Sequence, residues 1–188
     1  MPWRVAPVPE PAPLRSIEVA FDYRFPIDAL VRQMKFRRRW PLARTLAVAA
    51  SGEVHDYLLS FDVMLAVPLH WRRGIARGFN PASELAFALS RVSGVACEMG
   101  VLRRTRATRA QTTLGASERR SNVAGAFEAL QPLNGLTVLL VDDVVTTGST
   151  LASAAAACSA AGAPAVGAFA LAAAEPPGSA GPRLRYRG

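Results

Sequence analysis

The sequence predicts an α/β fold in which helices flank a central parallel sheet, and two stretches support this prediction. Residues 136–173 contain a predicted strand (LTVLLV), a loop (DDVVTTGST), a helix (LASAAAACSAAGA) and a second strand (AVGAFALAA). A strand, helix and strand at this spacing form a βαβ unit, whose strands are parallel. Upstream, FDVMLAVPLH is apolar and too short for a typical helix, as expected of a strand covered on both faces.

The composition is that of one globular domain. The chain has 188 residues, of which 51% are hydrophobic and 19% charged, so it can bury a core of its own. The net charge is +8, and all but one of the 22 basic residues are arginine. Guanidinium groups bind phosphate bidentately, so this charge indicates either a polyanionic partner or a general compositional bias toward arginine and alanine.

Three regions are predicted along the chain: an irregular proline-rich leader over 1–20, a domain over 21–175 and a flexible tail over 176–188. The leader contains five prolines within MPWRVAPVPEPAPLR and lacks the apolar segment of a secretion signal. Cys97 and Cys158 are too few and too far apart for a disulfide framework or a zinc site. These features predict a cytoplasmic protein.

Residues 151–174 carry no charge over a length that could cross a bilayer. They are mostly alanine, serine and glycine, which contribute little to membrane insertion, and Gly162 and Pro164 interrupt them. We therefore predict a helix, a turn and a buried strand here, and no membrane span.

Apolar residues at helical spacing predict a first helix near the N-terminus, and a second helix follows Pro41. The first helix carries Ile27, Leu30, Val31 and Met34. It is followed by a basic patch, Lys35 and 37–39, and we expect the two helices to form a small N-terminal hood.

A basic loop, HWRRGIARGFN, follows the FDVML strand and leads into another helix. Asn80 is its predicted N-cap, Pro81 its first residue, and Glu84 lies in its first turn. Its apolar face is formed by Leu85, Ala88 and Leu89.

Residues 101–122 are rich in arginine, threonine and glutamine and have no sustained apolar period. We predict a long loop there, with a short strand at its start. Long loops within compact domains usually act as lids or binding loops.

The loop from Thr146 to Thr150 joins a strand to a helix, where backbone N–H groups and the helix dipole favour a phosphate. Gly148 allows close approach of the backbone, and the hydroxyls of Thr146, Thr147, Ser149 and Thr150 can donate hydrogen bonds. The sequence lacks the P-loop and dinucleotide-binding motifs, so this phosphate site is not of the common nucleotide kinds.

Asp142 and Asp143 lie beside this loop, where two carboxylates would repel a bare phosphate. They suit a ligand that also presents sugar hydroxyls or a magnesium ion. A ligand with a phosphate, a ribose and a magnesium-bound group meets all these requirements.

The string VLLVDDVVTTGSTL resembles the 5-phosphoribosyl 1-diphosphate (PRPP) motif of type I phosphoribosyltransferases. The resemblance implies that fold, with Asp142 and Asp143 on the ribose hydroxyls and Thr146–Thr150 on the 5′-phosphate. It also implies Mg²⁺, brought with PRPP as substrate. No direct metal ligand is assigned, although Asp142 and Asp143 are candidates.

Three further stretches resemble the ComF family of competence-associated, phosphoribosyltransferase-like proteins, and the resemblance runs from Phe21 to Ala172. They are YRFPIDALVRQMKFRRRWPLARTLA, AVPLHWRRGIARGFNPASELA and RRTRATRAQTTLGASERRSNVAGAF. Many members begin with a four-cysteine zinc-binding segment, which is absent here, so no zinc is expected. FALAAAEPP also lacks an arginine expected in this family.

The resemblance implies two arginine-rich elements around the leaving group. The first is a diphosphate-binding loop with Arg72, Arg73, Arg77 and Gly78, for which a solvated basic loop is the alternative. The second is a flexible lid from Arg103 to Asn122, for which a nucleic-acid-binding basic surface is the alternative. The lid residues expected at the substrate are Arg104, Arg109, Gln111, Arg119, Arg120 and Asn122, with capping of turns as the alternative for Gln111 and Asn122. The expected catalytic set is Asp142, Asp143, Arg104 and Arg120.

Two functions follow from these expectations. The first is transfer of the phosphoribosyl group from PRPP to an unidentified nucleophile. The second, implied by the ComF resemblance, is a non-catalytic module that serves DNA uptake by binding single-stranded DNA or a helicase partner. The sequence leaves the acceptor and the oligomeric state open.

Overall fold

The computed structural model describes residues 4–5, 13–36, 41–69, 79–105 and 125–174. These residues form eight strands and four helices. In chain order they are β1 (Arg4–Val5), β2 (Leu14–Asp22), α1 (Ile27–Phe36), α2 (Pro41–Leu59), β3 (Val63–Ala66), α3 (Pro81–Ser93), β4 (Ala96–Glu98), β5 (Leu102–Arg104), β6 (Phe127–Ala129), β7 (Thr137–Val145), α4 (Ser149–Ala160) and β8 (Ala165–Ala173).

Six strands form one sheet in the order β1-β2-β8-β7-β3-β4. All neighbours in it are parallel except β1, which runs antiparallel to β2 at one edge. β5 and β6 form a separate antiparallel pair. The predicted α/β architecture with a central parallel sheet is therefore confirmed, with one short antiparallel strand added.

The sheet separates two apolar cores. On one face α1, α2 and α3 pack together, and Met34, Leu58 and Leu85 share a cluster with Leu139 and Phe169 of the sheet. On the other face α4 and the β5–β6 pair cover the sheet. The two N-terminal helices, expected as a small hood, thus belong to the layer that covers one face of the sheet.

The helix after the basic loop begins and ends as its sequence signals predict. Asn80 is the N-cap of α3, Pro81 is its first residue, and Glu84 lies in its first turn. The Asn80 side chain accepts a hydrogen bond from Ala82 N–H at 3.2 Å and donates one to the Val67 carbonyl at 3.0 Å. Asn80 therefore ties the start of α3 to the chain just after β3.

The predicted irregular leader over 1–20 is wrong from residue 14 onward. β2 runs from Leu14 to Asp22 and pairs with β8, and Ile17 and Val19 are fully buried. Prolines precede this strand but do not interrupt it, so its backbone N–H groups can join the sheet.

The strand predicted over the apolar run LTVLLV extends beyond that run in the structure. β7 extends through Asp142 and Asp143 to Val145, because its last residues pair with Ala172 and Ala173 of β8. Pairing with an adjacent strand outweighs the low strand preference of aspartate. Asp142 and Asp143 therefore lie on the strand, and the loop begins only at Thr146.

A partly buried tyrosine holds α2 against the sheet where the pairing of β2 and β8 shifts register. The Tyr57 hydroxyl accepts a hydrogen bond from Ala168 N–H and donates to the Ala168 carbonyl, both at 3.2 Å, and it lies 2.8 Å from Ser16 Oγ. The shift falls between Leu14 and Ile17. Burial raises the pKa of Tyr57 to about 12, so this hydroxyl keeps its proton.

The short strand predicted at the start of the long loop is confirmed as β5. Residues 106–122, the rest of that loop, lie outside the described residues. Within the described ranges, no helix combines the length and the apolar character that a membrane crossing requires.

Replacing Asn80 should destabilise the fold. Asn80→Ala removes both hydrogen bonds of the side chain, and we expect it to lower the free energy of unfolding by about 1–2 kcal/mol. Asn80→Ser keeps a cap acceptor but loses the bond to Val67, so its loss should be smaller. Urea unfolding of the wild type, Asn80→Ser and Asn80→Ala measures their free energies of unfolding, which should decrease in that order. An Asn80→Ala variant as stable as the wild type would contradict the prediction.

Candidate functional site

The acidic pair lies near the carboxyl end of β7, at the centre of the sheet. Neighbouring side chains on a strand point to opposite faces, and the two aspartates have different surroundings accordingly. Asp142 lines a depression together with Val144–Leu151. Asp143 is 8% exposed and contacts Lys35 of α1. The Asp142 carboxylate therefore lies beside the loop after β7, and the Asp143 carboxylate lies beside α1.

The loop after β7 forms a small cradle at the start of α4. Gly148 is the N-cap of that helix and has a φ of 71°, a left-handed conformation that favours glycine. Thr147 Oγ1 lies 2.8 Å from Ser149 Oγ, so the two hydroxyls hold each other inside the turn. The depression has a volume of about 20 Å³. The first turn of α4 directs N–H groups outward, which is the arrangement that binds anions.

Asp142 has an unusual proton affinity for an aspartate. Burial and the nearby charge of Asp143 raise the pKa of Asp142 to about 7. The Asp143 N–H, which donates to Asp142 Oδ1 at 2.8 Å, and the cations Lys35 and Arg104 oppose this shift. A partly buried carboxylate beside the first turn of a helix can accept a hydrogen bond from a donor such as a sugar hydroxyl.

Asp143 forms an ion pair with Lys35 in the last turn of α1. Lys35 Nζ lies 2.9 Å from Asp143 Oδ1, and the two side chains are 18% and 12% exposed. This contact joins the helical layer on one face of the sheet to the acidic motif. Sequence reasoning assigned Lys35 to a basic patch and did not predict the contact.

The β5–β6 pair brings an arginine toward the acidic motif. Arg104 lies over the Phe127 ring, with its guanidinium carbon 5.2 Å from the ring centroid. Its charge also lowers the pKa of Asp142, against the larger effects of burial and of Asp143. The adjacent Arg103 forms an exposed ion pair with Glu128 on β6.

The structure brings together only part of the predicted site. Asp142 and the loop Thr146–Thr150 line one depression, Arg104 acts on Asp142, and Asp143 faces α1. Other predicted residues lie outside the described residues, and their roles stay predictions: Arg72, Arg73, Arg77, Gly78, Arg109, Gln111, Arg119, Arg120 and Asn122. No cluster of metal-binding side chains is found among the described residues.

Comparison with known proteins identifies the family. Residues 74–183 match the family described as phosphoribosyl transferase domain, which covers more than half of the chain. The chain belongs to this family. The predicted type I phosphoribosyltransferase-like fold is thereby confirmed.

Two curated relatives show which group of this family the chain resembles. DNA utilization protein YhgH of Salmonella typhimurium is 38% identical over 148 residues, covering 76% of this chain and 65% of the relative. Competence protein F of Haemophilus influenzae is 34% identical over 138 residues, covering 69% of this chain and 60% of the relative. This is a ComF-family chain, as the sequence predicted, and it spans less than two thirds of the curated relatives it matches.

Solved phosphoribosyltransferases are more distant. A purine phosphoribosyltransferase from Pyrococcus horikoshii Ot3 has 17% identity and a TM-score of 0.42, with coverage of 78% of this chain and 95% of that one. A hypoxanthine phosphoribosyltransferase from Staphylococcus aureus has 13% identity and a TM-score of 0.42, with coverage of 77% and 70%.

The raised pKa of Asp142 predicts how stability depends on pH. An unfolded aspartate titrates near pH 4 and folded Asp142 near pH 7, so the folded state binds the proton more tightly between these values. The free energy of unfolding should therefore fall as pH rises from about 4 to about 7. Asp142→Asn should remove this slope and stabilise the protein at pH 8 by at most about 4 kcal/mol, since one pKa unit corresponds to about 1.4 kcal/mol.

Asp62 provides the matched control for this measurement. Hydrogen bonds from Thr137 lower the pKa of Asp62, which directly precedes β3. Because the pKa of Asp62 is lowered and not raised, this carboxyl does not contribute to the fall in unfolding free energy between pH 4 and pH 7. Asp62→Asn should therefore keep that dependence on pH. Urea unfolding across pH 4–8 tests the prediction, which fails when Asp142→Asn retains the slope of the wild type.

Proposed function

We propose that this chain binds PRPP together with Mg²⁺ and transfers its phosphoribosyl group to an unidentified nucleophile, with release of diphosphate. The observation that carries the proposal is the shared depression of Asp142 and the Thr146–Thr150 loop at the end of β7. The loop and the N-terminus of α4 suit the 5′-phosphate, and the carboxylate beside them suits a ribose hydroxyl. Family membership supports the same ligand.

The acidic pair also fits a magnesium-loaded ligand. Mg²⁺ prefers oxygen ligands and retains several waters, so it usually needs only one or two carboxylates in addition to substrate phosphates. Asp142 and Asp143 supply carboxylate oxygens at the end of β7. When bound with PRPP, Mg²⁺ would neutralise charge on the diphosphate.

In the proposed reaction the bond between ribose C1 and the diphosphate oxygen breaks, and its electron pair leaves with the diphosphate. A lone pair of the acceptor forms the new bond to C1, and the acceptor proton goes to solvent. No protein nucleophile is required. The chain would contribute orientation of the sugar by Asp142, fixation of the 5′-phosphate, and positive charge near the leaving group.

The arginine-rich elements are assigned to the leaving group in this proposal. Arg104 reaches the acidic motif through the β5–β6 pair. Arg72, Arg73, Arg77 and Gly78 would form the diphosphate loop. The lid would contribute Arg109, Gln111, Arg119, Arg120 and Asn122.

We also propose that this protein resides in the cytoplasm, because the sequence features described above predict that compartment.

A second candidate is a non-catalytic module in DNA uptake that binds single-stranded DNA or a helicase partner. Two observations favour it: the names of the relatives, DNA utilization protein and Competence protein F, and the net charge of +8. Binding of this kind would depend on phosphate contacts and would weaken steeply as salt is added.

Replacing the aspartates should distinguish the two candidates. Asp142→Asn and Asp143→Asn should each weaken binding of PRPP with Mg²⁺ by at least about tenfold, since a hydrogen bond to a charged group contributes roughly 1.5–3 kcal/mol. The affinity for single-stranded DNA should not fall. Calorimetry measures the first and fluorescence anisotropy the second, with Asp62→Asn as the control.

Wild-type protein that does not bind PRPP with Mg²⁺ would refute the first candidate. Binding without turnover would leave a PRPP-binding module. A screen of nucleobases and other amines for release of diphosphate from PRPP separates an enzyme from such a module.

A further inference from the structure

The ion pair between Lys35 and Asp143 has features that a purely stabilising contact would not need. Both side chains are largely withdrawn from solvent, and Nζ lies 2.9 Å from Oδ1. Removing two charges from water costs free energy, and their mutual attraction often does not compensate for it. A buried ion pair therefore adds little to stability. Apolar residues would fill the same space between α1 and β7 at lower cost.

The composition of the chain sets Lys35 apart. It is the only lysine, and the other 21 of the 22 basic residues are arginine. A bias toward arginine therefore cannot explain the residue at this position. An arginine fork tends to occupy both oxygens of a carboxylate, whereas an ammonium group occupies one. In this contact Nζ meets Oδ1 of Asp143, and a single ammonium contact of this kind can leave the second carboxylate oxygen to a ligand.

The position of the pair relates it to the proposed ligand. Asp143 directly follows Asp142, whose carboxylate lines the depression of the phosphate loop. Lys35 approaches from the last turn of α1, on the face of the sheet opposite α4. A ligand that reaches Asp143 would therefore meet a carboxylate whose orientation is already set from α1.

We propose that Lys35 is a positioning residue of the PRPP site: its ammonium group orients the Asp143 carboxylate so that Oδ2 can accept a hydrogen bond from a ribose hydroxyl. This inference rests on the proposed function and adds α1 to the site. It assigns different tasks to the two aspartates. Asp142 meets the ligand from the side of the phosphate loop, and Asp143 meets it as one half of an ion pair.

A set of five variants tests this role through the affinity for PRPP with Mg²⁺, measured by calorimetry. Lys35→Met keeps the packing of the side-chain stem and removes the charge. It should weaken binding by roughly 10- to 100-fold, the range seen when the group that orients a ligating side chain is removed. Lys35→Arg restores a cation within reach and should recover part of that loss.

The double variant Lys35→Met with Asp143→Asn separates positioning from direct contact. If Lys35 acts through Asp143, adding Lys35→Met to Asp143→Asn should cause no further loss of affinity. A further loss would show that Lys35 contacts the ligand directly and would overturn the positioning role.

Arg32→Met is the matched control, because Arg32 lies one turn earlier on α1 and is exposed in its ion pair with Asp28. It removes the same charge from the same helix and should leave the affinity unchanged. Lys35→Met that binds as tightly as wild type overturns this proposal alone. Wild type that does not bind PRPP overturns the proposed function as well.

Discussion

The parallel pairing of β7 with β8 on one side and β3 on the other is the constraint on which the rest of the structure depends. β7 pairs with β8 from Thr137 to Val145 and with β3 from Val138 to Val141. Because it lies inside the sheet, helices or strands cover both of its faces, and Val138–Val141 are fully buried. Side chains beyond this apolar stretch consequently emerge at the carboxyl edge, where ligands of parallel α/β sheets bind.

This placement explains why two adjacent carboxylates are tolerated in a largely buried position. On one face Lys35 compensates Asp143, and on the other Asp142 receives the Asp143 N–H and the attraction of Arg104. Compensation is incomplete, as the raised pKa of Asp142 shows. The proposed ligand, which would donate hydroxyl protons and bring its own cation, would complete this compensation.

Family membership and site geometry answer different questions about this chain. The match to the phosphoribosyl transferase domain determines the fold, but one fold supports many functions, and function depends on the site. The described residues include the acidic pair on β7 and the loop that leads into α4. The arginines proposed for the leaving group lie mostly outside those residues.

Local signals predicted some of the fold and misled in two places. Asn80 and Pro81 predicted the start of α3 because a cap depends only on its immediate neighbours. β2 was missed because proline content indicated a leader, although this strand forms by pairing with β8, far away in sequence. The end of β7 was placed too early for the same reason, since its last residues are held by Ala172 and Ala173.

By itself the sequence determined the α/β class, the βαβ unit and the place of the acidic pair just before a Thr-Gly-Ser loop. These depend on periodicity and on residues that are close in the chain. Only the tertiary structure decided which face each aspartate takes and which cation meets it. Lys35 reaches Asp143, and Arg104 influences Asp142, because distant elements pack against the same strand. No local pattern encodes such a contact.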